Sequence, residues 1–132
     1  MERFTYKRSE KLKSRKQIEL LFIKKQSISI YPIRISYLQV NEEIEANSLK
    51  VGVGTSKRNF KKAIDRNRVK RLLRESYRLY KLPLHKIVQE KNIHLIVFFH
   101  YYSRNILSQT ELHKKMELGI NKIVALLHEP LA

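Results

Sequence analysis

The chain has 132 residues, 42 % of them apolar, no cysteine and a formal charge of +16. Length and apolar content suit one packed domain, residues 1–132, and exclude a disordered polycation; the missing cysteines exclude disulfides and thiolate metal sites. The charge calls for a polyanionic partner, either nucleic acid or an anionic membrane surface.

Residues 1–13 are basic and aperiodic, which predicts an arm lying on the surface or on a partner, and they lack the apolar segment of a secretory signal. The longest apolar run, residues 95–99, is too short to span a bilayer, so a cytoplasmic protein is expected. Ser14 with Gln17 has capping-box spacing and predicts a helix in which Ile18, Leu21 and Phe22 form one stripe, with Leu20 and Ile23 pointing elsewhere. A short helix that is apolar around most of its girth needs contacts on two sides, from core packing alone or from core and a cleft. Residues 27–31 and 33–40 read as extended pieces interrupted by Pro32. In the second piece Ile33, Ile35 and Tyr37 share one face, and Arg34, Ser36 and Leu38 the other. Residues 41–47 form an acidic, polar connection. The next strand, residues 49–56, places Leu49, Val51, Val53 and Thr55 on one face and Lys50, Gly52, Gly54 and Ser56 on the other. Its glycines allow close approach of a backbone, a helix or a ligand, with helix packing the commoner reason.

Residues 57–78, KRNFKKAIDRNRVKRLLRESYR, hold ten Lys or Arg and two acids, Asp65 and Glu75. From residue 62 onward, Val69, Leu72, Leu73, Ser76, Tyr77 and Tyr80 recur at helical steps and cluster in one arc of the wheel. Arg66, Asn67, Lys70, Arg71, Arg74 and Arg78 fan across the opposite arc, with Arg68 at its far edge. Pro83, in Leu82-Pro83-Leu84, is predicted to end this helix. Residues 94–102, HLIVFFHYY, are apolar on both faces and predict a central strand. Ser108 with Glu111 is a second capping box; Leu112, Met116, Gly119, Ile120, Ile123, Val124 and Leu127 form the stripe of a last helix that Pro130 stops. The order α-β-β-β-α-β-α predicts an α+β sandwich with one mixed four-stranded sheet covered by helices.

Nothing in the pattern predicts catalytic or metal-ligating side chains. His94 and His100 share a strand face but stand roughly 20 Å apart. His85, His113 and His128 show no ligand spacing, the acids are scattered, and no nucleophile elbow is present. The cationic face is different in kind. Arg66, Lys70, Arg74 and Arg78 recur at four-residue steps with no acid among them, an arrangement that destabilises a free helix and is compensated by a polyanion. The apolar stripe is committed to the sheet, which disfavours a membrane surface, and no helix-turn-helix pattern supports a DNA regulator. RNA is the expected partner.

The segment VGVGTSKRNFKKAIDRNRVKRLLRESYR resembles the signature of the protein subunit of bacterial ribonuclease P. The Arg66-Asn67-Arg68 triplet and the following residues 69–75 are its most specific part; the strand ending in Ser56-Lys57-Arg58, the basic entry at residues 11–13, Phe22 and the element order also fit. The resemblance implies a non-catalytic protein that assists an RNA subunit in removing the 5′ leader of precursor tRNA, in a ribonucleoprotein that requires Mg²⁺ and uses the protein to lower that requirement. It also implies a left-handed β-α-β crossover, against the right-handed default. Carried over by position, Arg66, Asn67, Arg68, Lys70, Arg71 and Arg74 would hold the RNA subunit, and Phe22, Tyr37 or a strand neighbour, Lys57 and Arg58 would line a cleft for the leader. Two departures are Ile18, where the family commonly has an aromatic residue, and Asn59-Phe60-Lys61-Lys62, where many members have a glycine-containing turn. A structural or ribosomal RNA-binding protein without a processing role is the alternative reading.

Overall fold

A computed structural model of the chain describes residue 11, residue 21, residues 26–40 and residues 49–128. The arm other than Lys11, the Ser14–Gln17 cap, Ile18, Leu20, Phe22, Ile23, residues 41–47 and Pro130 lie outside the described residues.

Strands β1 (Gln26–Ile30), β2 (Ile33–Val40), β3 (Leu49–Thr55) and β4 (His94–Tyr101) form one mixed sheet in the order β1-β2-β4-β3. The β1–β2 and β2–β4 pairs are antiparallel, and β3–β4 is parallel. Pro32 interrupts as expected: Tyr31 and Pro32, joined by a cis peptide bond, make the turn that sets Ile30 opposite Ile33. β4 takes the interior position its two apolar faces predicted. Lys11 pairs with Val51 in a parallel bridge along the outer edge of β3.

A parallel pair needs a crossover, and here two helices supply it, α1 (Ala63–Tyr80) and α2 (Leu82–Lys91). The basic helix ends before Pro83 as expected, and α2 is a further helix absent from the expected element order. Proline does break α1, but its ring suits the first turn of a helix, where no N–H is needed, and Pro83 opens α2 there. Only Lys81 separates the two helices. α2 buries Leu84, Ile87 and Val88 and ends at Asn92, whose φ of 52° is the left-handed conformation asparagine tolerates. α3 (Gln109–His128) starts as predicted, with Ser108 Oγ accepting the Glu111 N–H at 3.2 Å.

Helices α1, α2 and α3 lie on one face of the sheet. There Ile33, Ile35, Tyr37, Val51, Val97 and Phe99 meet Val69, Leu73 and Tyr77 of α1 and Met116 and Ile120 of α3. At Gly119 the absent side chain lets α3 sit against the sheet, because a Cβ there would collide with Ile35 Cδ1. The other face has a smaller cluster: Leu21, helical and fully buried, packs on Ile96, with Leu38 and Phe98 beside it. Among the described residues no helix is long and apolar enough to cross a membrane.

Candidate nucleic-acid interface

The orientation of α1 follows from what it buries. Val69, Leu73 and Tyr77 are fully buried, and the Tyr77 ring packs on Phe99 with centroids 5.9 Å apart. Ser76 is also fully buried, which its polarity alone would not predict. Its hydroxyl donates to the Leu72 carbonyl at 2.9 Å and lies within hydrogen-bond distance of His113 Nδ1, at 2.7 Å, a contact that pegs α1 to α3.

With that side fixed, Asn67, Arg68, Arg71 and Arg74 face solvent and Lys70 is half-buried at the margin. Glu75 pairs with Arg78 at 3.0 Å. A pair this exposed adds little stability, yet it occupies the nearest acid on the helix. Among the described residues none of Arg68, Lys70, Arg71 and Arg74 has an acidic partner. Their guanidinium forks can bind phosphate oxygens bidentately, and Asn67 can add a sugar or base contact.

Arg66, the first residue of the triplet, is placed differently. Its Nη1 donates to the carbonyls of Phe60 and Lys61 at 2.8 and 2.9 Å. These bonds buckle the turn that enters α1, a helix whose N-cap, Lys62, provides no side-chain cap. The Ser56 carbonyl accepts the N–H groups of Asn59 and Phe60 at 3.3 and 3.2 Å, and buried Phe60 packs on Tyr101. The turn therefore holds its shape without glycine. Arg66→Ala is expected to lower stability by about 1 kcal/mol, read as a reduced urea midpoint. An unchanged midpoint would limit Arg66 to a surface role.

Between this turn and the β4–α3 loop lies a shallow cavity of about 500 Å³, with Lys61, Lys62 and Arg104 among its lining residues. Tyr101 steadies the loop: its hydroxyl donates to the Asn105 carbonyl and accepts the Leu107 N–H at 3.0 Å. Burial pushes this phenol above its ordinary pKa, so it remains a proton donor. Lys57 and Arg58, both exposed, sit on the turn beyond β3 rather than on α1.

The strand register organises the second face of the sheet. Ser29, Arg34, His100 and Gly54 form one row across the four strands, and Ser27, Ser36, Phe98 and Gly52 form the next. Gly54 makes room for an aromatic ring: a Cβ there would lie 2.8 Å from Phe98 Cζ. Phe98 also stacks on His100, with centroids 6.5 Å apart and planes 24° from parallel.

This register corrects the assignment of Tyr37 to the cleft. Tyr37 is 6 % exposed and belongs to the main core on the helix-covered face. The sheet residues facing the Leu21 side are Leu38, Ile96, Phe98 and His100. Their own strand does not mark Phe98 and His100 as site residues, since it is apolar on both faces. The signal lies in their pairing with Gly52 and Gly54. Among the described residues no group of three or more His, Asp or Glu side chains is placed to hold a metal ion.

A mixed sheet backed by α1, α2 and α3, with Arg68, Arg71 and Arg74 exposed on the connecting helix and without an acidic partner among the described residues, defines an α+β protein suited to a polyanion. The Ribonuclease P family model matches residues 6–124, and the chain belongs to that family. It is 32 % identical over 120 residues to the ribonuclease P protein component of Porphyromonas gingivalis, covering 91 % of this chain and 87 % of that one. It is 30 % identical over 118 residues to that of Legionella pneumophila, covering 89 % and 85 %. Its fold is similar to that of a Staphylococcus aureus RNase P protein mutant with defective mRNA degradation activity, at a TM-score of 0.64 and 16 % identity over 86 % of this chain and 87 % of that one. A second Staphylococcus aureus RNase P protein structure gives a TM-score of 0.59 over 92 % and 97 %.

Proposed function

We propose that this chain is the protein subunit of ribonuclease P, that its arginine face docks the catalytic RNA subunit, and that the second sheet face receives the single-stranded 5′ leader of precursor tRNA. The observation that carries this reading is the exposed row of Arg68, Arg71 and Arg74, without an acidic partner among the described residues, in a chain of this family. Phosphate contacts of this kind give affinity and register without requiring a base sequence.

On the second face, Phe98, His100 and Arg34 offer flat rings beside a cation, and Lys57 and Arg58 stand at the end of the same sheet. Rings with neighbouring cations are how proteins commonly grip a single strand. In this arrangement the protein supplies affinity and discrimination for leader-bearing substrates, and bond-making belongs to the RNA. Any Mg²⁺ the holoenzyme requires is assigned in this reading to the RNA.

The test is reconstitution. Purified protein is expected to leave precursor tRNA intact, and addition of the RNA subunit is expected to give mature 5′ ends, with leader-bearing substrate bound more tightly than mature tRNA. An mRNA transcript belongs in the protein-only arm, given the activity described for the Staphylococcus aureus relative. Efficient removal of the leader by RNA-free protein would sink the proposal.

A further inference from the structure

We propose that Tyr31, in the turn between β1 and β2, is a platform on which one nucleobase of the single-stranded leader stacks. This rests on the leader reading given above. Tyr31 is 58 % exposed, and among the described residues it is the one aromatic side chain of the large apolar groups left exposed.

The ring is nonetheless held. Its hydroxyl donates to Ser103 Oγ at 3.0 Å, and Ser103, only 4 % exposed, accepts the Asn105 N–H at 3.1 Å through the same oxygen. The ring meets Tyr102 edge to face, with centroids 5.3 Å apart and planes at 81°. The Tyr102 N–H donates to the Pro32 carbonyl at 2.9 Å, tying the β1–β2 turn to the end of β4. A ring needed for the core would be buried, and one of no consequence would be free to turn. Tyr31 presents a ring to solvent with its orientation already fixed, so a base that stacks on it orders little further.

The surroundings select the ligand. Arg34 lies three residues beyond Tyr31, in the row of His100 and Gly54, with the Phe98 ring over the glycine. Lys57 and Arg58 continue from β3 at this same end, and Arg104 follows Ser103. Arg34, Lys57, Arg58 and Arg104 are exposed and have no acidic partner among the described residues. An oriented ring among unneutralised cations fits a nucleotide with phosphates on either side. The Tyr31 hydroxyl is committed to Ser103, so the ring accepts the face of any base and reads no base edge.

The chain contains no tryptophan, so Tyr31→Trp creates a single indole reporter at the site. In holoenzyme assembled with the RNA subunit, leader-bearing precursor is expected to quench the indole whatever the leader base, and mature tRNA is expected not to. Tyr31→Leu, which keeps bulk but removes the ring, is expected to weaken precursor binding roughly ten-fold and to leave mature tRNA binding unchanged. Tyr31→Phe, which keeps the ring, is expected to bind precursor nearly as the wild type does. Equal quenching by both tRNAs, quenching on RNA-subunit assembly alone, an unaltered affinity in Tyr31→Leu, or equal losses in the Leu and Phe variants would each overturn the platform. A wild-type holoenzyme that binds precursor and mature tRNA equally would instead overturn the leader reading itself.

Discussion

Arg68→Ala with Arg71→Ala is expected to weaken RNA-subunit binding and to make it less sensitive to salt. Each lost phosphate contact lowers the log–log salt slope by about 1, so the double variant should lose about 2. Both side chains are exposed and touch no acid among the described residues, so the urea midpoint should stay close to that of the wild type. This pairing of a large binding change with a small stability change is what identifies a contact surface. A slope equal to the wild-type value would move the RNA elsewhere on the molecule.

Tyr77→Ala is expected to do the reverse. The ring is fully buried and packed on Phe99, where α1 meets the central strand. Truncating a large buried side chain to alanine typically costs about 3–5 kcal/mol, against a total stability of about 5–15 kcal/mol for a domain. The urea midpoint should fall sharply, and RNA affinity should fall with it, because the arginine face is presented by a helix that has lost its footing. Saturating RNA subunit should recover part of the stability, since it binds only the folded form. A wild-type midpoint would show that the α1–sheet contact carries little energy.

Much of this was legible in the sequence because it is local. Alternation located the strands, Ser108 with Glu111 located the start of α3, and the wheel of residues 62–80 separated Val69, Leu73 and Tyr77 from the arginines. The features beyond the reach of the local pattern depend on partners distant in sequence or on context beyond one residue. Pro83 ends one helix and begins the next, and the local rule captures only the first effect. Tyr37 alternates correctly with Ile33 and Ile35, but which face the helices cover is decided by α1 and α3, far along the chain. Phe98 gains its place above Gly54 only through the β3–β4 register. Arg66 looks like its neighbours in the triplet, and only the folded turn turns its guanidinium towards the Phe60 and Lys61 carbonyls.

The placement of α1 on one side of the sheet and of the Leu21 cluster on the other makes the sheet–helix layer a spacer between the two proposed RNA surfaces. A helix packed on a sheet adds roughly 15 Å between the far side of the helix and the opposite sheet face. That exceeds the screening length of about 8 Å at physiological ionic strength. Two RNA strands bound on opposite sides would therefore shed their counterions almost independently. The salt slopes for docking the RNA subunit and for capturing the leader should add, with coupling confined to the sheet end where Lys57, Arg58 and the start of α1 come together.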